Sequence, residues 1–160
     1  QSIPVISCSD ASINPGTATG NTAIICPGDT VLVTTTGVVA PTVGSYAGLA
    51  WILSFTDITG NSDPQNDPGY VGGSGVQFPA PSNGAIQLIN DATLIDGVNL
   101  PYGTYYFTPV VFGNATGTSA SIINLTLDPT CTYTGNSVAV YVADPADTLC
   151  STTGISQVDA

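Results

Sequence analysis

The residues best able to do chemistry are aspartates in one polar stretch of the chain. Asp57, Asp63 and Asp67 lie close together there, with Asn61 and Asn66 between them. Carboxylate and amide oxygens, with loop carbonyls, are the ligands that a hard Ca²⁺ ion requires. The spacing does not match an EF-hand loop, and Asp-Pro and Asn-Asp pairs also form ordinary turns. The stretch predicts either a Ca²⁺ site or a turn-rich loop, and the sequence favours the loop.

The composition excludes most catalytic chemistry. The 160 residues include eleven acidic side chains, all aspartate, and no Lys, Arg or His, which gives a formal net charge of -11. A histidine base, a Schiff-base lysine and an arginine phosphate clamp are therefore absent. A pair of aspartates can hydrolyse glycosides, but no pair stands out, and the Asp-Thr-Gly and Gly-x-Ser-x-Gly motifs are missing. We expect a protein that is not an enzyme.

The same acidic excess limits the partners of the chain. Phosphate backbones and anionic lipid headgroups would repel it, so nucleic acid is not an expected partner. The longest strongly apolar stretch, residues 47–55, is far shorter than the roughly 20 residues that cross a bilayer, so membrane insertion is not expected.

Two further kinds of candidate site come from aromatic and amide side chains. Tyr70, in the polar stretch, is a candidate for stacking on a sugar ring, whereas Trp51 lies in an apolar segment typical of a core strand. Asn114 and Asn124 each begin an Asn-x-Thr sequon, the acceptor sequence for N-glycosylation.

Four cysteines, at positions 8, 26, 131 and 150, predict two structural disulfides. Their number is even, and none has the close C-x-x-C spacing of zinc or redox sites. Structural disulfides persist in oxidising compartments, so the pattern indicates a secreted chain.

The elements that must position these residues are strands. Val, Ile, Thr and aromatic residues are abundant, and no long 3.6-residue periodicity appears. Pro109 within one segment suggests an edge strand or a bulge. Seven or eight strands in a domain of this size predict an all-β, Ig-like antiparallel β-sandwich stapled by disulfides. The candidate strands are residues 3–7, 30–36, 49–56, 76–78, 85–89, 103–112, 121–127 and 137–143.

Strand direction bears on how the cysteines pair. If the strands alternate up and down, Cys26 and Cys131 both precede up-strands and lie at the same end of the sandwich. This favours the pairs Cys26 with Cys131 and Cys8 with Cys150. The local pairing, Cys8 with Cys26 and Cys131 with Cys150, remains open.

Several motifs together resemble a known family. They are Ile-Cys-Pro-Gly-Asp-Thr-Val-Leu-Val from Ile25, the central Trp51, Gly-Thr-Tyr-Tyr-Phe-Thr-Pro from Gly103, and Leu-Asp-Pro-Thr-Cys from Leu127. This pattern, over roughly residues 25–143, resembles the Ig-like repeat modules of very large surface and extracellular proteins of Bacteroidota. The resemblance implies type IX secretion, a tandem array and a role in adhesion or in a surface filament. It also implies a partner for Cys26 near the hairpin before the last strand, which supports Cys131.

The resemblance extends to modification sites. Thr30 lies in Asp-Thr-Val and Thr148 in Asp-Thr-Leu, which resemble the O-glycosylation sites of Bacteroidota proteins. Sugars at these positions would help to keep a surface with few charges soluble.

The organisation that follows has three parts. Residues 1–24 form an N-terminal strand and connecting segment, 25–143 the Ig-like sandwich, and 144–160 a C-terminal linker or extension. We predict a non-catalytic structural module of an extracellular adhesin or surface filament, which mediates cell-surface attachment or fibre assembly. It needs no cofactor apart from the Ca²⁺ considered above. Its expected partners are neighbouring copies, surface glycans or a target cell surface.

Two alternatives stay open. The chain is a carbohydrate- or receptor-binding module that uses the loop 57–75, or a self-assembling, pilin-like subunit with Gln1 as its mature N-terminus.

Overall fold

Two β-sheets packed face to face form the part of the chain that the structure describes. The computed structural model describes residues 5–90 and 101–150. Short 3-10 helices lie at Pro64–Asn66, Ile122–Asn124 and Pro129–Cys131. The strands are β1 (Thr17–Gly20), β2 (Ile24–Ile25), β3 (Thr30–Thr36), β4 (Tyr46–Ser54), β5 (Tyr70–Gly73), β6 (Asn83–Ile89), β7 (Gly103–Gly117), β8 (Leu125–Thr126), β9 (Thr132–Thr134) and β10 (Val138–Val142).

The strand order is that of an Ig-like sandwich. The small sheet has the order β1-β3-β6, and the large sheet has the order β2-β10-β7-β4-β5. β8, β9 and β10 pair in turn with the far, middle and near parts of β7, so they share one strand position. The pairs are antiparallel except for β2 and β10, which run parallel. The described strands thus occupy eight positions, and the predicted all-β sandwich of seven or eight strands is confirmed.

Pro109 explains why β9 and β10, which occupy the same position beside β7, are separated by a gap. It pairs with Trp51 on one side, within the long central strand β7. On the other side its carbonyl accepts a bond from the Gly135 N–H, 2.9 Å away, in the gap between β9 and β10. Proline has no N–H to donate, so the ladder breaks at this point. The predicted edge position is wrong, because β7 lies inside the sheet.

The main core fills the space between the two sheets. Alternation along β4 turns Leu49, Trp51 and Leu53 inward, and β3 contributes Val31 and Val33. Trp51 is only 2% exposed, which confirms its predicted place in the core.

A corner at the start of β7 is typical of Ig-like sandwiches. Tyr105 is buried in the main core, and its hydroxyl donates a hydrogen bond to the carbonyl of Pro101, just upstream. A tyrosine near the start of this strand, bonded back to the preceding turn, is a hallmark of the fold. The bond fixes how the chain enters β7.

A second core covers the outer face of the large sheet. Ala50 and Ile52 point outward from β4 but are still buried, under Ile58, Ile122 and other apolar residues. The covering residues come from the loop between β4 and β5 and from the segment between β7 and β9. Because both of its faces are covered, β4 is buried over most of its length.

Three predicted strands are corrected by the structure. Of the predicted strand 3–7, residues 3 and 4 lie outside the described residues and residues 5–7 are irregular; β1 lies instead in the segment predicted to be a connection. β5 lies in the stretch predicted to be loop, whereas residues 76–78 form only an isolated bridge, from Gln77 to Leu49. The predicted strand 121–127 is a 3-10 helix followed by the two residues of β8.

The disulfides have the third possible connectivity, which is neither of the two considered from the sequence. Cys8 pairs with Cys131 and Cys26 with Cys150, so both predicted pairings are wrong. Because residues 121–127 add no separate strand, β10 runs antiparallel to β3. Cys26, before β3, therefore lies at the same end as Cys150, after β10.

Candidate functional site

The aspartates carry the only charged side chains of the sequence, and those within residues 5–90 and 101–150 serve as turn formers. Six of them accept a hydrogen bond from the backbone N–H two residues further along the chain. They are Asp10, Asp57, Asp67, Asp128, Asp144 and Asp147. Asp29 accepts from the Cys26 N–H at 3.0 Å, and Asp63 accepts from the Asn66 amide. Each described carboxylate is thus held by its own turn.

The three aspartates considered as candidate Ca²⁺ ligands, Asp57, Asp63 and Asp67, accept hydrogen bonds from separate donors. The Thr59 hydroxyl lies 2.6 Å from Asp57 and lowers the pKa of its carboxyl, with help from the Thr59 N–H. The Thr56 hydroxyl, 2.7 Å away, lowers the pKa of Asp67 in the same way. In the described part of the chain, no three acidic, cysteine or histidine side chains are grouped to hold a metal ion. The hydrogen bonds that hold Asp57 and Asp67 are of the kind that forms turns.

This loop is fastened to the rest of the molecule by Gln65. Its side-chain amide donates to the carbonyls of Ile122 and Leu125, at 3.0 and 2.8 Å, and accepts from the Leu127 N–H at 2.9 Å. Ile58 of the same loop is buried in the outer core. The loop is consequently one half of the layer that covers the large sheet, and the segment 122–127 is the other half.

Tyr70 does not present an open ring for sugar stacking. It is half-buried at the start of β5 and packs against the outer core. Burial raises the pKa of its hydroxyl above the ordinary value, and a weaker interaction with Gln65 opposes this rise. The buried hydroxyl has no well-formed hydrogen bond to the described residues.

The modification candidates all lie on the surface. Thr30, the first residue of β3, and Thr148 are exposed, and both are near the disulfide of Cys26 and Cys150 in the chain. Asn114 and Asn124 are exposed too.

The two sequon amides already have partners. The Asn114 amide donates to the Cys8 sulfur at 3.3 Å, and the Asn124 amide donates to the Ser119 hydroxyl at 2.8 Å. Asn124 lies in a 3-10 helix and not on a predicted strand.

Sequence reasoning missed an apolar groove beside Phe78. The groove has a volume of about 250 Å³ and is lined by Pro41, Thr42, Ala47, Phe78, Pro79 and Ala80. Phe78 is 55% exposed at its rim. The sequence suggests that the short apolar run 76–78 is a strand, so it does not predict that Phe78 is exposed. A second groove of about 310 Å³, near Tyr133, has a lining rich in Thr and Pro.

Comparison of the chain with family models, curated proteins and solved structures finds no match.

The cellular compartment is indicated by the disulfides. Two of them point to an oxidising, non-cytoplasmic location. None of the helices in the described part of the chain has the length and apolar composition needed to span a bilayer.

Proposed function

We propose that this chain is a non-catalytic structural module of an extracellular adhesin or surface filament, with a role in cell-surface attachment or fibre assembly. The observation that carries the proposal is the placement of the two disulfides. Each joins a cysteine within the first 26 residues to one within residues 131–150, across 123 and 124 positions. A module that transmits tension needs both of its ends anchored to the fold, and this connectivity anchors both.

The surface chemistry supports the same role. The described carboxylates each accept a hydrogen bond within their own turn, which suits a structural role. Few charges on the strand faces also lower the desolvation cost when neighbouring copies pack side by side.

The proposal is tested on the protein in its native setting. An antibody raised against this domain should label the outside of intact cells. It should detect a native chain much larger than the 16.1 kDa of the 160 residues. Removing the domain in frame should reduce attachment or fibre formation while secretion continues. A native mass near 16 kDa would instead indicate the pilin-like subunit, and a label found only inside cells would overturn the proposal.

A carbohydrate- or receptor-binding role is the second candidate, supported by the exposed ring of Phe78 beside its groove. Aromatic rings stack on the apolar faces of sugars, and Thr42 also lines this groove. On a glycan array, a specific signal that is lost in Phe78→Ala would support binding there. Phe55→Ala is the matched control, because Phe55 is 50% exposed but lies outside the groove. A signal lost equally in both variants would count against this groove.

A further inference from the structure

The disulfides divide the chain into three segments that connect the same two points. One point is the bond between Cys8 and Cys131, and the other is the bond between Cys26 and Cys150. Between them run 18 residue steps from Cys8 to Cys26, 19 from Cys131 to Cys150, and 105 from Cys26 to Cys131. Two short segments therefore lie in parallel with one long segment that holds most of the sandwich.

The two points lie at opposite ends of the domain. Cys131 precedes Thr132, which pairs with Phe112 on β7. Cys26 follows Ile25, which pairs with Val142, opposite Gly103 at the start of β7. At roughly 3.3 Å per residue along β7, the two disulfides are about 30 Å apart.

The two short segments run side by side and in the same direction. β2 belongs to the first and β10 to the second, and these strands pair in parallel. The Asn136 amide of the second segment bonds both the N–H and the carbonyl of Ala18 in the first, at 2.8 and 2.9 Å. Tension along the molecule therefore loads both segments together.

From this connectivity we infer that the domain is a link of limited extension, in which the two short segments carry tension and the 105-residue segment stays folded. A stretch of 18 residues reaches at most about 60–65 Å. The molecule therefore lengthens by only about 30–35 Å between the disulfides before covalent bonds take the load. Without disulfides, the 142 steps from Cys8 to Cys150 would reach about 470–510 Å.

The limit survives the loss of either bond. Without the bond of Cys8 to Cys131, the route through residues 8–26 and the second disulfide remains. Without the bond of Cys26 to Cys150, the route through the first disulfide and residues 131–150 remains. Both bonds must break before the main body of the domain is pulled out.

Single-molecule force spectroscopy tests this inference on the full chain, held by peptide handles fused at both ends. We expect a gain of about 35 Å or less for the native chain, and about the same for Cys8→Ser with Cys131→Ser and for Cys26→Ser with Cys150→Ser. The variant that lacks all four cysteines should gain about 450 Å. If that variant does not fold, adding reductant while the folded native chain is held under force should give the same long gain.

Gains of hundreds of ångströms in a chain with one intact disulfide would overturn the inference. The inference rests on the proposed function only for the source of the tension. A domain that extends fully under force could still be an adhesin module, and a limited-extension domain could prove to be intracellular. The pulling experiment therefore tests the limited extension, and the labelling experiment separately tests the proposed function.

Discussion

Replacing Gln65 with leucine tests whether the outer layer is fastened by one side chain. Leucine has a similar volume but removes three hydrogen bonds, to the Ile122 and Leu125 carbonyls and the Leu127 N–H. A neutral hydrogen bond contributes roughly 0.5–1.5 kcal/mol net, so three give about 1.5–4.5 kcal/mol. We expect the free energy of unfolding to fall by about 2–4 kcal/mol, since the unpaired groups are partly buried.

Urea unfolding with the disulfides intact measures this loss. Trp51 is the single tryptophan and lies in the main core, so its fluorescence reports global unfolding. Gln87→Leu is the control, because Gln87 is exposed on β6 and its replacement should change stability by less than about 0.5 kcal/mol. Equal effects of the two variants would refute the fastening role of Gln65.

The variant Gln65→Glu adds a pH signature. The introduced carboxylate would face the two carbonyls without a proton to donate, so its pKa in the folded protein should rise above the unfolded value of about 4.3. The stability deficit of Gln65→Glu relative to the native chain should then be smallest below a pH of about 4.3 and grow as pH rises through the folded pKa. Gln87→Glu should show no such growth, and a deficit independent of pH would contradict the geometry.

Three further predictions concern packing, ionisation and covalent structure. Gly73→Ala should destabilise the protein by about 1–3 kcal/mol, because the added Cβ would lie 2.2 Å from the Trp51 carbonyl oxygen and 2.3 Å from Ile122. Gly72→Ala is the control, because its Cβ would lie 3.7 Å from the nearest atom. Thermal unfolding should show a lower melting temperature for Gly73→Ala than for Gly72→Ala. The Tyr141 hydroxyl lowers the pKa of the Asp147 carboxyl, so the stabilising bond is present above pH 3.8 and is lost as pH falls through the lowered pKa. NMR titration should show this pKa moving back toward 3.8 in Tyr141→Phe, and an unmoved value would exclude the bond. Non-reducing digestion with a protease that cleaves before aspartate puts each cysteine on a separate peptide, and the linked pairs should be 8 with 131 and 26 with 150; any other pair contradicts the fold.

The sequence predicts the sandwich well where one face of a strand is buried. Residues 30–36 alternate in burial and match β3 from end to end, because alternation is the direct signature of a strand with one face on a core. Turns in the aspartate-rich loop are predictable for a similar local reason, since an Asx turn needs only a carboxylate and the N–H two residues on.

The outer core could not be located in the same way. The outward face of β4 carries Ala50 and Ile52, which signals burial on both sides, but nothing local says which segment covers it. β5 is not predicted because Tyr-Val-Gly-Gly has little strand character without its neighbour β4. The predicted disulfide pairing depends on the direction of the last strand. Counting residues 121–127 as an extra strand reverses that direction and so gives the wrong pairs.

The long separation in sequence between the bonded cysteines determines when each native disulfide can form during synthesis. Neither disulfide can form until Cys131 has emerged, and the second must wait for Cys150. Cys8 and Cys26 therefore have no native partner until the segment up to residue 131 has been made. Native oxidation of this domain accordingly follows the synthesis of its last strands, and a domain truncated before residue 131 would carry two thiols with no native partner.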